Sequence, residues 1–70
     1  MDDYKVIQQL SDGKTFLLWY EGNFRKLKEV VQYLMDSTLQ PDVYTIILED
    51  GKEIPLVSFC EIFHIRKKNI

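Results

Sequence analysis

Two segments of the chain, Leu10-Ser-Asp-Gly-Lys-Thr-Phe and Leu48-Glu-Asp-Gly-Lys-Glu-Ile, carry the same Asp-Gly-Lys, each between runs rich in β-forming residues. Asp-Gly supplies the positive φ that a tight hairpin requires. KVIQQL and TFLLWY therefore pair around the first copy, and VYTIIL and EIPLV around the second. Turn chemistry accounts for the repeat. A phosphate-binding or EF-hand loop needs many more residues of fixed type than Asp-Gly-Lys.

Between the two hairpins, Phe24, Leu27, Val30, Val31, Leu34 and Met35 recur at three- and four-residue spacing, the stripe of an amphipathic helix. Asn23 is its expected N-cap, and Pro41 follows a short polar loop that ends it near Ser37. The order is ββαββ, an α+β fold with an antiparallel sheet of four to five strands and one helix packed on one face. Expected strands span about 4–10, 15–21, 43–48 and 53–57, with a helix over 24–37, all within a single domain of residues 1–70. In SFCEIFHIRKK, Ser58 and Glu61 have capping-box spacing for one helical turn, after which IFHIR predicts a short fifth strand over 62–66.

Hairpin register decides which side chains share a face. A two-residue loop mixes polar and apolar partners on both faces. A three-residue loop, a type I turn followed by a bulged glycine, pairs Gln8 with Phe16, Val6 with Leu18, Tyr4 with Tyr20 and Ile46 with Ile54. It gives one nearly pure apolar face of Tyr4, Val6, Leu10, Phe16, Leu18, Tyr20, Tyr44, Ile46, Leu48, Ile54 and Leu56, interrupted only by Gln8. That face meets the helix, so Phe16 and Leu18 are expected against Leu27, Val31 and Leu34. The opposite face carries Ile7, Leu17, Trp19, Val43, Ile47, Pro55 and Val57 among Lys5, Glu21 and other polar residues. One helix cannot cover both sides, and a contiguous apolar patch left exposed marks an interaction surface.

With 70 residues, a single core rarely supplies more than ~3 to 5 kcal/mol, so tight packing or self-association is needed. One cysteine excludes an intrachain disulfide, and one histidine beside it excludes a four-ligand Cys/His zinc site. No cofactor or metal is expected. The 46 % hydrophobic share is that of a folded protein rather than a disordered one. No apolar run reaches the length of a membrane span, and no secretory signal opens the chain, so a cytoplasmic protein with no membrane partner is expected.

Neither acids nor thiol suggest an enzyme. Glu49, Asp50 and Glu53 flank a hairpin tip, where acids are ordinarily solvated. Cys60 and His64, four apart, share a face only on a helix, whereas IFHIR reads as strand, so Cys60 is taken as a buried structural residue. The expected function is that of a small non-enzymatic interaction module, regulatory or inhibitory. It would bind a protein partner, or a second copy, through the uncovered sheet face at Trp19, Leu17, Ile7, Lys5, Ile47 and Val57. Size alone suggests a phage or mobile-element origin, where short inhibitors of host machinery are common. The alternative is a nucleic-acid-binding module. A net charge of −2 argues against it, but Arg25, Lys26 and Lys28 crowd the positive end of the helix dipole, and Arg66, Lys67 and Lys68 form a basic tail.

Overall fold

The computed structural model describes residues 3–68. Its elements are β1 (Tyr4–Gln9), β2 (Thr15–Glu21), α1 (Phe24–Ser37), a 3-10 turn (Pro41–Val43), β3 (Tyr44–Ile47), β4 (Glu53–Pro55) and α2 (Leu56–Phe63). The four strands form one antiparallel sheet in the order β2-β1-β3-β4. β2 and β3 both run antiparallel to β1, so α1 carries the chain across from one side of β1 to the other.

The two Asp-Gly-Lys segments fold alike. Leu10 N–H donates to the Lys14 carbonyl at 2.8 Å and Gly13 N–H to the Leu10 carbonyl at 3.1 Å. In the second copy Leu48 donates to Lys52 at 2.8 Å and Gly51 to Leu48 at 2.9 Å. Gly13 and Gly51 sit at φ of 86° and 88°, the left-handed region. Each turn aspartate locks its loop by accepting the lysine N–H, Asp12 from Lys14 at 3.0 Å and Asp50 from Lys52 at 2.9 Å. This is the three-residue loop, and it sets Gln8 opposite Phe16 and Ile46 opposite Ile54.

Helix α1 begins where its cap predicts. Asn23 Oδ1 accepts from Arg25 N–H at 2.8 Å and Lys26 N–H at 3.2 Å, filling two of the donors a helix start leaves unpaired. Its stripe of Leu27, Val30, Val31 and Leu34 is buried together with Val6, Ile46, Leu56, Phe59 and Cys60. Since α2 contributes three of those residues, both helices lie on the Val6/Ile46 face of the sheet. The shortest principal dimension, 17 Å, leaves room for two layers and not a third.

Three expectations are corrected. The fifth strand over 62–66 does not form, and β4 stops at Pro55 rather than continuing to 57. Leu56–Phe63 is a helix that buries Leu56, Phe59 and Cys60 at helical spacing, a burial that outweighs the β-propensity of its residues. It ends at His64, held left-handed at φ 58°, where Ile65 N–H donates back to the Cys60 carbonyl at 2.9 Å and Ile65 packs on the core. Third, β2 bulges. The register shifts between Val6 and Ile7, so that Val6 faces Trp19, Lys5 faces Tyr20 and Tyr4 faces Glu21. Beyond that point every β2 side chain changes sides.

Glycine-only turns and a strained helix end give opposite substitution effects. Gly13→Ala and Gly51→Ala should each lower stability by about 1 kcal/mol, although space for the methyl is open at both sites. His64→Gly should raise it by roughly a few tenths of a kcal/mol. Urea unfolding of the three variants checks both signs.

Candidate functional site

The face of the sheet turned away from the helices can be read row by row from the pairing. Tyr20, Lys5, Ile47 and Glu53 form one cross-strand row, and Leu17, Ile7, Thr45 and Pro55 the next. None of these residues belongs to the buried core or packs against it. Leu17, Ile7, Lys5 and Ile47 thus lie together on the uncovered face, as their alternation predicts. Lys5 Nζ lies 6.0 Å from the centroid of the Tyr20 ring. The Tyr20 hydroxyl donates to Asp3 Oδ2 at 2.6 Å, and that bond to a carboxylate raises the phenol pKa above its ordinary value.

Trp19 and Val57 are not part of that face. The bulge turns Trp19 to the side of Val6, where it shares a shallow groove of about 280 Å³ with Glu21, Lys26, Glu29, Val30 and Tyr33. Val57 sits on α2 and lines a different cavity, with Met35, Cys60, Glu61, His64, Ile65, Arg66 and Lys67. Phe16 and Tyr20 also depart from expectation. Tyr20 faces away from the helices, and Phe16, although on their side, stays exposed, because the buried core centres on β1 and β3 and leaves the sheet margin outside it.

The consequence is concentrated on β2, an edge strand. Phe16, Leu17, Trp19 and Tyr20 are 54 %, 52 %, 42 % and 55 % exposed, two on each face. Leu10 donates to Lys14, so the antiparallel alternation turns the N–H and C=O groups of Thr15 and Leu17 away from β1 toward the open edge. The other edge, β4, is three residues long and ends in a proline, a form that blunts strand addition.

The basic residues divide. Arg25, Lys26 and Lys28 are exposed on the first two turns of α1, whose first turn carries no acid to offset the helix dipole and whose second carries Glu29. The tail docks on α1 through residue 68. Gln32 Nε2 donates to the Arg66 carbonyl at 2.7 Å, and Lys68 N–H donates to Asp36 Oδ1 at 2.8 Å. Arg66 and Lys67 are therefore held beside the later turns of the same helix.

Cys60 and His64 are brought together after all, because both lie on or at the end of α2 and line one cavity. Burial nevertheless pushes the Cys60 thiol pKa up, the reverse of what an activated nucleophile needs. Among the described residues no cluster of three or more His, Cys, Asp or Glu could hold a metal, and no helix is long and apolar enough to cross a membrane. Sequence reasoning missed Tyr33 beside Trp19 and the aromatic pair of buried Phe59 and exposed Phe63 on α2, whose signal was their four-residue spacing. No protein-family model, curated protein or solved structure matches the chain.

A thiol pKa raised in the folded state means that the folded protein keeps its proton while the unfolded chain loses it. Stability from this group is complete below the ordinary thiol value of 9.0 and declines as pH rises above it. The difference in unfolding free energy between wild type and Cys60→Ala should therefore narrow from pH 8 to pH 10 in urea titrations, and folded Cys60 should resist iodoacetamide.

Proposed function

We propose that the protein is a small interaction module that binds another protein by strand addition along β2. What supports this reading is the state of that strand. Natural edge strands are kept short, charged or interrupted by proline, whereas β2 offers seven residues and four half-exposed large apolar side chains. Main-chain groups at Thr15 and Leu17 supply ladder bonds, and side chains on both faces grip the incoming strand. Leu17 and Tyr20 extend the contact onto the uncovered face with Ile7 and Ile47, while Phe16 and Trp19 hold the other side. The bulge at Leu18 and Trp19 limits the regular ladder, so affinity in this mode comes chiefly from the apolar anchors. A regulatory or inhibitory role suits such a module, since it acts by occupying a strand edge of its partner.

Leu17→Lys and Trp19→Ala should each weaken partner binding at least about tenfold while costing under about 1 kcal/mol of stability, because both side chains are half exposed. Capture from the native host with wild type, these variants and the remote Glu61→Lys control checks it, with light scattering to detect self-association. A partner retained by both β2 variants, or a strict monomer that captures nothing, would sink the reading.

The docking of the tail on α1 favours a second reading, nucleic-acid binding by Arg25, Lys28, Arg66 and Lys67 along that helix. Glu29 and Asp36 interrupt this band. If it binds duplex DNA, log affinity should fall with log salt at a slope of about −0.9 per phosphate neutralised. A flat response removes it.

A further inference from the structure

On the side of the sheet away from β2, four elements leave an opening between them. Tyr4 of β1, Phe24 at the start of α1, Ile54 of β4, and Phe59, Ile62 and Phe63 of α2 line a cavity of about 350 Å³, with Leu48, Glu49 and Asp50 of the β3–β4 turn at its lip. The rings form a continuous wall. Phe24 lies 5.7 Å from Tyr4, 6.1 Å from Phe59 and 5.2 Å from Phe63, and Phe59 lies 4.7 Å from Phe63. Phe59 is fully buried and forms the floor, whereas Ile62 and Phe63 remain exposed at the mouth. The volume falls in the range of sites that accept one large side chain or a small ligand.

Charge at the lip is one-sided. Glu49 and Asp50 are the only ionisable carboxylates among the described lining residues, and no cation is among them. Glu49 is oriented toward the cavity mouth by the Tyr4 hydroxyl, which donates to its Oε1 at 3.3 Å. Lys28, whose Nζ lies 5.5 Å from the Phe24 centroid, already stands as a cation on the ring wall from the helix side. An apolar group entering this cavity would carry its neighbouring charge past two carboxylates and the faces of electron-rich rings, both of which favour a cation.

We infer that this cavity is a second docking site, for a segment of a partner protein that presents one bulky apolar side chain next to an arginine or lysine. The apolar side chain fills the space between Phe24, Ile54 and Phe63, and the cation meets Glu49 and Asp50. The site is built from residues that the β2 surface does not use, so it stands independently of strand addition.

Titrating the isotope-labelled protein with acetyl-Gly-Ser-Phe-Arg-Ser-Gly-amide, followed by amide chemical shifts, tests the site. Saturable shifts are expected at Leu48, Gly51 and Phe63. Replacing the peptide's Arg by Glu, or its Phe by Ser, should weaken binding at least about fivefold. On the protein, Phe63→Ala should abolish saturation, and Glu49→Gln with Asp50→Asn should lose the preference for Arg over Glu while keeping the turn, since asparagine still accepts the Lys52 N–H. Leu17→Lys should leave the titration unchanged, which separates this site from the β2 reading. Absence of saturable shifts, or equal affinity for the three peptides, overturns the inference.

Discussion

Val6 and Ile46 face each other across the central pair of strands, and among the described strand residues they alone are fully buried. Everything else in the fold converges on them. Leu27 and Val31 come down from α1, and Leu56 and Phe59 from α2, so six fully buried side chains from four elements make up the whole centre of the protein. A core this narrow fixes the two-layer form. The helices have apolar surface enough for one face of two strands, and none of the other described residues covers the margins or the reverse of the sheet.

The exposed surfaces follow from that limit. β2 lies one strand outside the centre, beyond the reach of the helix stripe, so its large side chains stay half exposed whichever face they occupy. The aromatic opening beside α2 arises the same way on the opposite flank, where the start of α1 and the end of α2 diverge from the β3–β4 turn. Apolar area in both places is positioned by rigid elements rather than by loops. That is the form in which exposed apolar residues can serve recognition instead of collapsing inward.

Much of this was legible in the residues. The Asp-Gly-Lys turns, Asn23 as cap, the α1 stripe and the Ile46–Ile54 register all follow from local rules that the packing then agrees with. Two features were not. The bulge on β2 leaves no composition signal, because Leu18 and Trp19 suit either face equally, and its effect is to reverse Trp19, Tyr20 and Glu21. Helix α2 was legible in part. Leu56, Phe59, Cys60 and Phe63 have helical spacing, but Val57, Ile62 and Ile65 place apolar residues off that stripe as well, and a short segment with apolar residues on all sides does not declare its period. The candidate site is affected most, since alternation carried through these two irregularities places Trp19 and Val57 on the uncovered face, where neither lies.

The topology also bears on how the chain reaches this state. Each hairpin closes over a loop of three residues, a local event on the scale of ~1 to 10 μs. Neither buries anything alone, because Val6 belongs to one and Ile46 to the other. Their joining ladder, from Lys5–Ile47 to Gln8–Tyr44, pairs residues 36 to 42 positions apart and requires α1 to close over β1. Loop-closure entropy therefore falls on a single step. The seam between the two hairpins thus carries the sheet's long-range pairing, and the α1 stripe lies across it as a clamp.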